Sequence, residues 1–143
     1  MSPVLTPDTS EAEDFSTPIA PGTYKARIES CDAGKSGKGN DKIMPTMKVK
    51  EGDKTRTRTT HLVISGAGSS GFDEILRACH FDKLADQYKD KNLKTKPPFD
   101  TNSLVGQELL VVVEADLYTP AKLPDGTQPP SRPTDKITHY LKA

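Results

Sequence analysis

His61 to Ala78 reads "HLVISGAGSSGFDEILRA", and the reading of this stretch decides the fold. Gly66, Gly68 and Gly71 fit G-x-G-x-x-G between an apolar, β-branched run and a helical pattern, which is the setting of a dinucleotide-binding turn. Such a fold needs that turn after the first strand of a βαβ unit, a second parallel strand after the helix, and an acid near that strand's end for the ribose. Here three strand-like segments precede or include the turn. The residues beyond it, "ADQYKDKNLKTKPPF", offer Asp86 and Asp90 but no buried strand to carry either. The glycines are therefore expected to let the chain leave a sheet and enter a helix.

Working outward, the segment upstream alternates. In "GTYKARIESCDAG", Tyr24, Ala26, Ile28 and Ser30 fall on one side and Lys25, Arg27 and Glu29 on the other, the period of a half-buried strand. "GKSGKGNDK" reads as a basic loop. "KIMPTMKVK" is a second strand in which Pro45 points to an edge or a bulge. After the turn "EGDK", "TRTRTTHLVIS" is a third strand, polar on both faces before it turns apolar at Leu62. Downstream, Phe72, Ile75, Leu76 and Cys79 form a helical stripe with Ser69 or Ser70 as cap and Asp73 and Glu74 near the positive end. "FDKLADQYKDKNLKTKPPFD" is polar and partly helical. "QELLVVVEADLY" reads as the most apolar and central strand. A proline-rich loop, "TPAKLPDGTQPPSRPT", then leads to a last strand, "DKITHYLKA".

Strand, strand, strand, helix, strand, strand with short antiparallel connections predicts a mainly β fold: a five-stranded OB-fold barrel with one helix between strands 3 and 4. A β-grasp or a small β-sandwich with one helix stays open. The boundaries expected are a disordered acidic N-terminal arm over 1–20 and a nucleic-acid-binding domain over 21–143. The arm has three prolines and no hydrophobic period.

Composition excludes several classes. A chain of 143 residues holds one core and is too short for a two-domain dehydrogenase. No run of about 18 apolar residues exists and the N-terminus lacks a signal-peptide pattern, so a cytoplasmic location is expected, with no membrane partner. Cys31 and Cys79 are widely separated and are expected to be reduced thiols. His61, His80 and His139 have no metal-ligand spacing, so no metal and no cofactor is expected. "GKS" at Gly34–Ser36 lacks the first glycine of a P-loop. No nucleophile elbow, metalloprotease motif or paired-carboxylate spacing supports catalysis, so the chain is not expected to be an enzyme; carboxylates meeting in space, as in some nucleases, stay open.

A net charge of zero conceals an asymmetry. Residues 1–20 carry Asp8, Glu11, Glu13 and Asp14 with no Lys or Arg, leaving −4 on the arm and +4 on the remainder. Between Lys25 and Arg58 stand ten basic and five acidic residues. Single-strand binders on an OB scaffold combine a basic groove with planar side chains on which bases stack, and the groove crosses strands two and three and the loops beside them. The candidate nucleic-acid-binding residues are therefore Lys25, Arg27, Lys35, Lys38, Lys42, Lys48, Lys50, Arg56, Arg58, Lys122 and Arg132. His61 and Tyr118 are candidate stackers. Tyr24 and Tyr140 are open between core and stacking, and Phe72 and Phe81 are expected to pack the helix on the barrel.

"PGTYKARIESCDAGKSGKGNDKIMPTMKV", the helix "FDEILRACHF", "PFDTNSLVGQELLVVVEADLY" and the closing "KITHYLKA" resemble a phage family long filed as a domain of unknown function. Some of its members are single-stranded-DNA-binding proteins with an OB fold. The resemblance spans residues 21–143 and implies a phage-encoded protein that coats single-stranded DNA in replication or recombination without strong sequence preference. The acidic arm lies at the N-terminus, whereas single-strand binders often carry an acidic C-terminal tail that recruits replication partners and competes with DNA. The arm is the expected contact for replication or recombination proteins. A homodimer stays open, as does a protein-interaction OB module acting as recombination mediator or host-factor inhibitor.

Overall fold

In the computed structural model, which describes residues 2–10, 12 and 17–143, the alternation of the first strand is realised with one break. β1 (Gly22–Lys35) buries Ala26 and Ile28 and turns Lys25, Arg27 and Glu29 to solvent. Its antiparallel pairing with β2 (Asp41–Glu51) shifts register between Ile28 and Ser30. The extra residue moves Ser30, expected inward, to the exposed side and gives Cys31 the inward place.

β2 buries Ile43, Pro45, Met47 and Val49 and faces Lys48 and Lys50 outward. Of the edge or bulge that Pro45 pointed to, the structure has the bulge, in the β1 ladder beside it, and not the edge: β2 has neighbours on both sides. Pro45 is accommodated because the expected third strand divides in two. β3 (Lys54–Thr59) pairs with Thr46–Glu51, and β4 (Leu62–Val63) pairs with Lys42–Ile43. The missing N–H of Pro45 falls in the gap between the two ladders, and its carbonyl accepts from Thr60 N at 3.1 Å.

α1 (Ser70–Ala78) buries Phe72, Ile75 and Leu76, followed by Cys79, the stripe read from the sequence. Ser69 takes the N-cap position but makes no side-chain cap; its hydroxyl donates to the Gly66 carbonyl at 2.6 Å and tightens the glycine turn. The helix ends with His80 in the left-handed region (φ 66), where His80 N donates to Arg77 O and Phe81 N to Leu76 O at 2.8 Å. That is a Schellman closure with a histidine in the place usual for glycine. It reverses the chain into α2 (Asp82–Lys89), a second helix where one was expected, which buries Ala85. A 3₁₀ turn (Thr101–Leu104) buries Leu104, and Gly106 N donates to Ile28 O at 2.8 Å beside the bulge.

β5 (Glu108–Tyr118) pairs with β1 on one side and β6 (Arg132–Lys142) on the other, so the apolar run is internal as expected. The antiparallel order is β3-β2-β1-β5-β6, with β4 also on β2. The fold is mainly β with two α-helices. Six strands replace the expected five, and among the described residues no backbone ladder joins β3 to β6, so the sheet is not closed. Side chains bridge those edges instead. Arg58 Nε and Nη2 each reach Asp135 at 2.8 Å, and Tyr140 Oη donates to Thr60 Oγ1 at 2.9 Å. α1 lies against β6, where the Glu74 carboxylate accepts the Tyr140 backbone N–H and satisfies an edge donor.

Three of the arm's four acids, Glu11, Glu13 and Asp14, lie outside the described residues. The packed chain begins before Pro21. Ile19 is buried and donates its N–H to Asp135 at 2.7 Å, and the Thr17 carbonyl accepts from Arg56.

Candidate functional site

Pleat parity places four cations on one surface. Lys25 and Arg27 of β1 and Lys48 and Lys50 of β2 all point away from the core, because their neighbours Ala26, Ile28, Met47 and Val49 are buried. The register sets Arg27 opposite Lys48, Lys48 opposite Thr57, and Lys50 opposite Thr55. The Lys48 ammonium donates to Thr57 Oγ1 at 2.7 Å, and Thr46 and Thr59 share a hydroxyl bond at 2.8 Å. A shallow hollow of about 460 Å³ follows, floored by Ala26 and Leu109 and rimmed by the four cations, Thr55, Glu29 and Glu108. Four positive and two negative side chains leave a local excess of +2. Like charges facing each other across strands are unfavourable by themselves, and an anion in the hollow relieves that repulsion.

The other candidates are distributed differently. Lys35 is ion-paired with Asp41 beside the turn. Lys38 borders a second hollow of about 610 Å³, between the Ser36–Asn40 loop and Ser65–Gly68. Lys42 continues the outward row of β2, and its Nζ lies 2.9 Å from His61 Nδ1. An ammonium can only donate, so His61 Nδ1 accepts. Tyr118 and Arg132 pair at the far end of the β5–β6 hairpin, with the guanidinium carbon 4.8 Å from the ring centroid. Lys122 is exposed in the loop between them. These last three are not brought to the hollow.

Arg56 and Arg58 require correction. Their register partners are Val49 and Met47, so both face inward, and it is Thr55, Thr57 and Thr59 that face out. Arg56 is 5% exposed and bonds Glu51 Oε1 at 3.0 Å. Arg58 grips Asp135, whose side chain is 3% exposed. Burial by itself would raise the Asp135 carboxyl. Hydrogen bonds from Arg58 and the Ile19 amide, with the charges of Arg58 and Arg56, outweigh that effect and hold it below its ordinary value. Both arginines close the gap between β3 and β6 rather than line a ligand surface.

The aromatic candidates are likewise committed. Tyr24 is half-buried and donates its hydroxyl to the Ala20 carbonyl at 2.6 Å. Tyr140 is buried, and that burial pushes its phenol up to about 12. Phe72 packs edge-on to Phe99 at 5.2 Å and near Tyr88 at 5.9 Å, and Phe81 packs against the core. Cys31 and Cys79 are buried free thiols, each pushed up to about 11 by desolvation first. Among the described residues no group of three or more His, Cys, Asp or Glu could hold a metal ion.

Sequence reasoning placed Glu29 beside Lys25 and Arg27 but missed the outward threonines of β3 and Glu108 at the edge of the basic surface. The alternation of "TRTRT" carried the signal, but it does not say which set faces in. The chain matches no protein-family model, and no curated protein matches its sequence. The resemblance to the phage family therefore rests on the residues that carry it.

Proposed function

We propose that this chain is a phage-type single-stranded-DNA-binding protein, sequence-nonspecific, that coats single strands in replication or recombination within the host cytoplasm. The observation that carries this reading is the convergence of Lys25, Arg27, Lys48 and Lys50 on one exposed sheet face, beside a row of hydroxyls. A surface of that kind neutralises phosphates, and the released counterions drive binding. The finer fold assignment, an OB barrel held partly open, is supported by the sharing of β1 between β2 and β5, by the Arg58–Asp135 bridge and by α1 lying against β6. The acidic arm, with Asp8, Glu11, Glu13 and Asp14, is the proposed contact for replication or recombination proteins.

A second reading, a protein-interaction module of the same fold, is favoured by one observation: Glu29 and Glu108 reduce the local excess to +2. Titration of labelled oligo-dT and a matching duplex at two salt concentrations, with and without magnesium, separates the alternatives. Neutralising four phosphates gives a log–log salt slope of about −3 for single strands. No binding to oligo-dT would favour the interaction module, and magnesium-dependent cleavage would make the chain a nuclease.

A further inference from the structure

The hollow holds cations and the Thr55 hydroxyl, but among the described residues no aromatic ring lines it. None of the rings the sequence offered as stackers lines it; His61 is exposed, with Nδ1 2.9 Å from Lys42 Nζ, outside the hollow. Tyr24 and Tyr140 are turned inward with their hydroxyls bonded to Ala20 O and Thr60 Oγ1. Phe72, Tyr88 and Phe99 pack together on the helical side. Tyr118 already carries Arg132 on its ring, and it lies eight residues beyond Leu110, the register partner of Lys25, which is about 26 Å along the strand. What the face does present is periodic. Lys50 and Lys48 succeed each other at the two-residue repeat of about 6.6 Å, Thr46 follows, and Thr55, Thr57 and Thr59 stand opposite them.

Resting on the reading of this face as a single-strand site, we infer that its ligand is the phosphodiester backbone and that the bases contribute no stacking. The four cations take phosphate charge, and the threonine hydroxyls take phosphate or sugar oxygens, groups that every nucleotide carries. Glu29 on β1 and Glu108 on β5 both lie on the β5 side of the β2–β3 row, and they mark that side as one where a phosphate is not tolerated. Indifference to base identity follows directly. In a stacking groove, by contrast, one lost stack costs about fivefold or more in affinity.

The test uses the full chain and two fluorescent ligands at one salt concentration, oligo-dT and an abasic oligodeoxynucleotide of equal length, with oligo-dT also titrated against the variants Tyr118→Ala and His61→Ala. The inference expects abasic and dT ligands to bind within fivefold of each other, and both variants to stay within fivefold of the parent. A loss of fivefold or more with the abasic strand, or in either variant, overturns it while leaving the single-strand reading standing. If neither ligand binds the parent chain, the single-strand reading itself fails and the inference with it.

Discussion

Arg58 and Asp135 show how one charge pair serves the structure in place of the ligand. Asp135 is almost fully enclosed and accepts from Arg58 Nε and Nη2 and from the Ile19 amide, so removing it takes away the acceptor of three N–H groups and the counter-charge of a part-buried guanidinium. Asp135→Ala is expected to destabilise the fold by about 3 kcal/mol in chemical denaturation, with oligo-dT affinity within twofold of the parent. Because the folded-state carboxyl is lowered, its stabilising contribution is fully present above its unfolded value of about 4 and is lost as pH falls through the folded value. Acid unfolding of Asp135→Asn should accordingly show a flatter limb below about pH 4 than the parent; an unchanged limb would remove the pair from the account. Glu108 belongs to the other class. It stands opposite Arg27 on the exposed face, and Glu108→Gln should tighten oligo-dT binding at low salt without changing thermal stability by more than about 0.5 kcal/mol. At this scale the outward lysines of β1 and β2 were legible because apolar neighbours fix their parity. Arg56 and Arg58 were not, since in "TRTRT" both sets are polar and only the distant Asp135 decides which faces in.

Among the elements, α1 was readable from its stripe of Phe72, Ile75, Leu76 and Cys79, and β5 from its continuous apolar run. α2 was only hinted at, because its one fully buried residue is Ala85. The division of the third strand into β3 and β4 depends on where Pro45 sits in a neighbouring strand, a long-range matter that local pattern does not carry. The α1–α2 corner gives a clean test. His80 holds a left-handed conformation that glycine adopts without strain. His80→Gly is expected to raise stability by about 0.5–1 kcal/mol, read as an increase in the denaturation midpoint at constant m-value. A decrease would show that the histidine side chain matters more than the backbone conformation.

At the scale of the molecule, a mainly β, antiparallel arrangement was legible in the sequence, because short antiparallel connections leave few topologies open. Barrel closure was not, since it depends on whether β3 and β6 meet by backbone or by side chains. The structure answers with Arg58–Asp135 and Tyr140–Thr60. Among the described residues no helix is long and apolar enough to cross a membrane. The glycine turn at Gly66–Gly71 serves as the passage from β4 into α1, with Gly66 at φ 82 and Ser69 bonded to its carbonyl. The surface proposed for a ligand is the exposed face of β1, β2 and β3.

The most direct test of that assignment is the salt dependence of oligo-dT binding by the parent chain and by Lys48→Ala, Lys50→Ala and Lys122→Ala. The parent slope is expected near −3 on log–log axes, falling in magnitude by about 0.7 for each groove lysine removed and not at all for Lys122. A slope that stays the same when Lys48 and Lys50 are removed, or single-strand binding that does not respond to salt, would contradict the account.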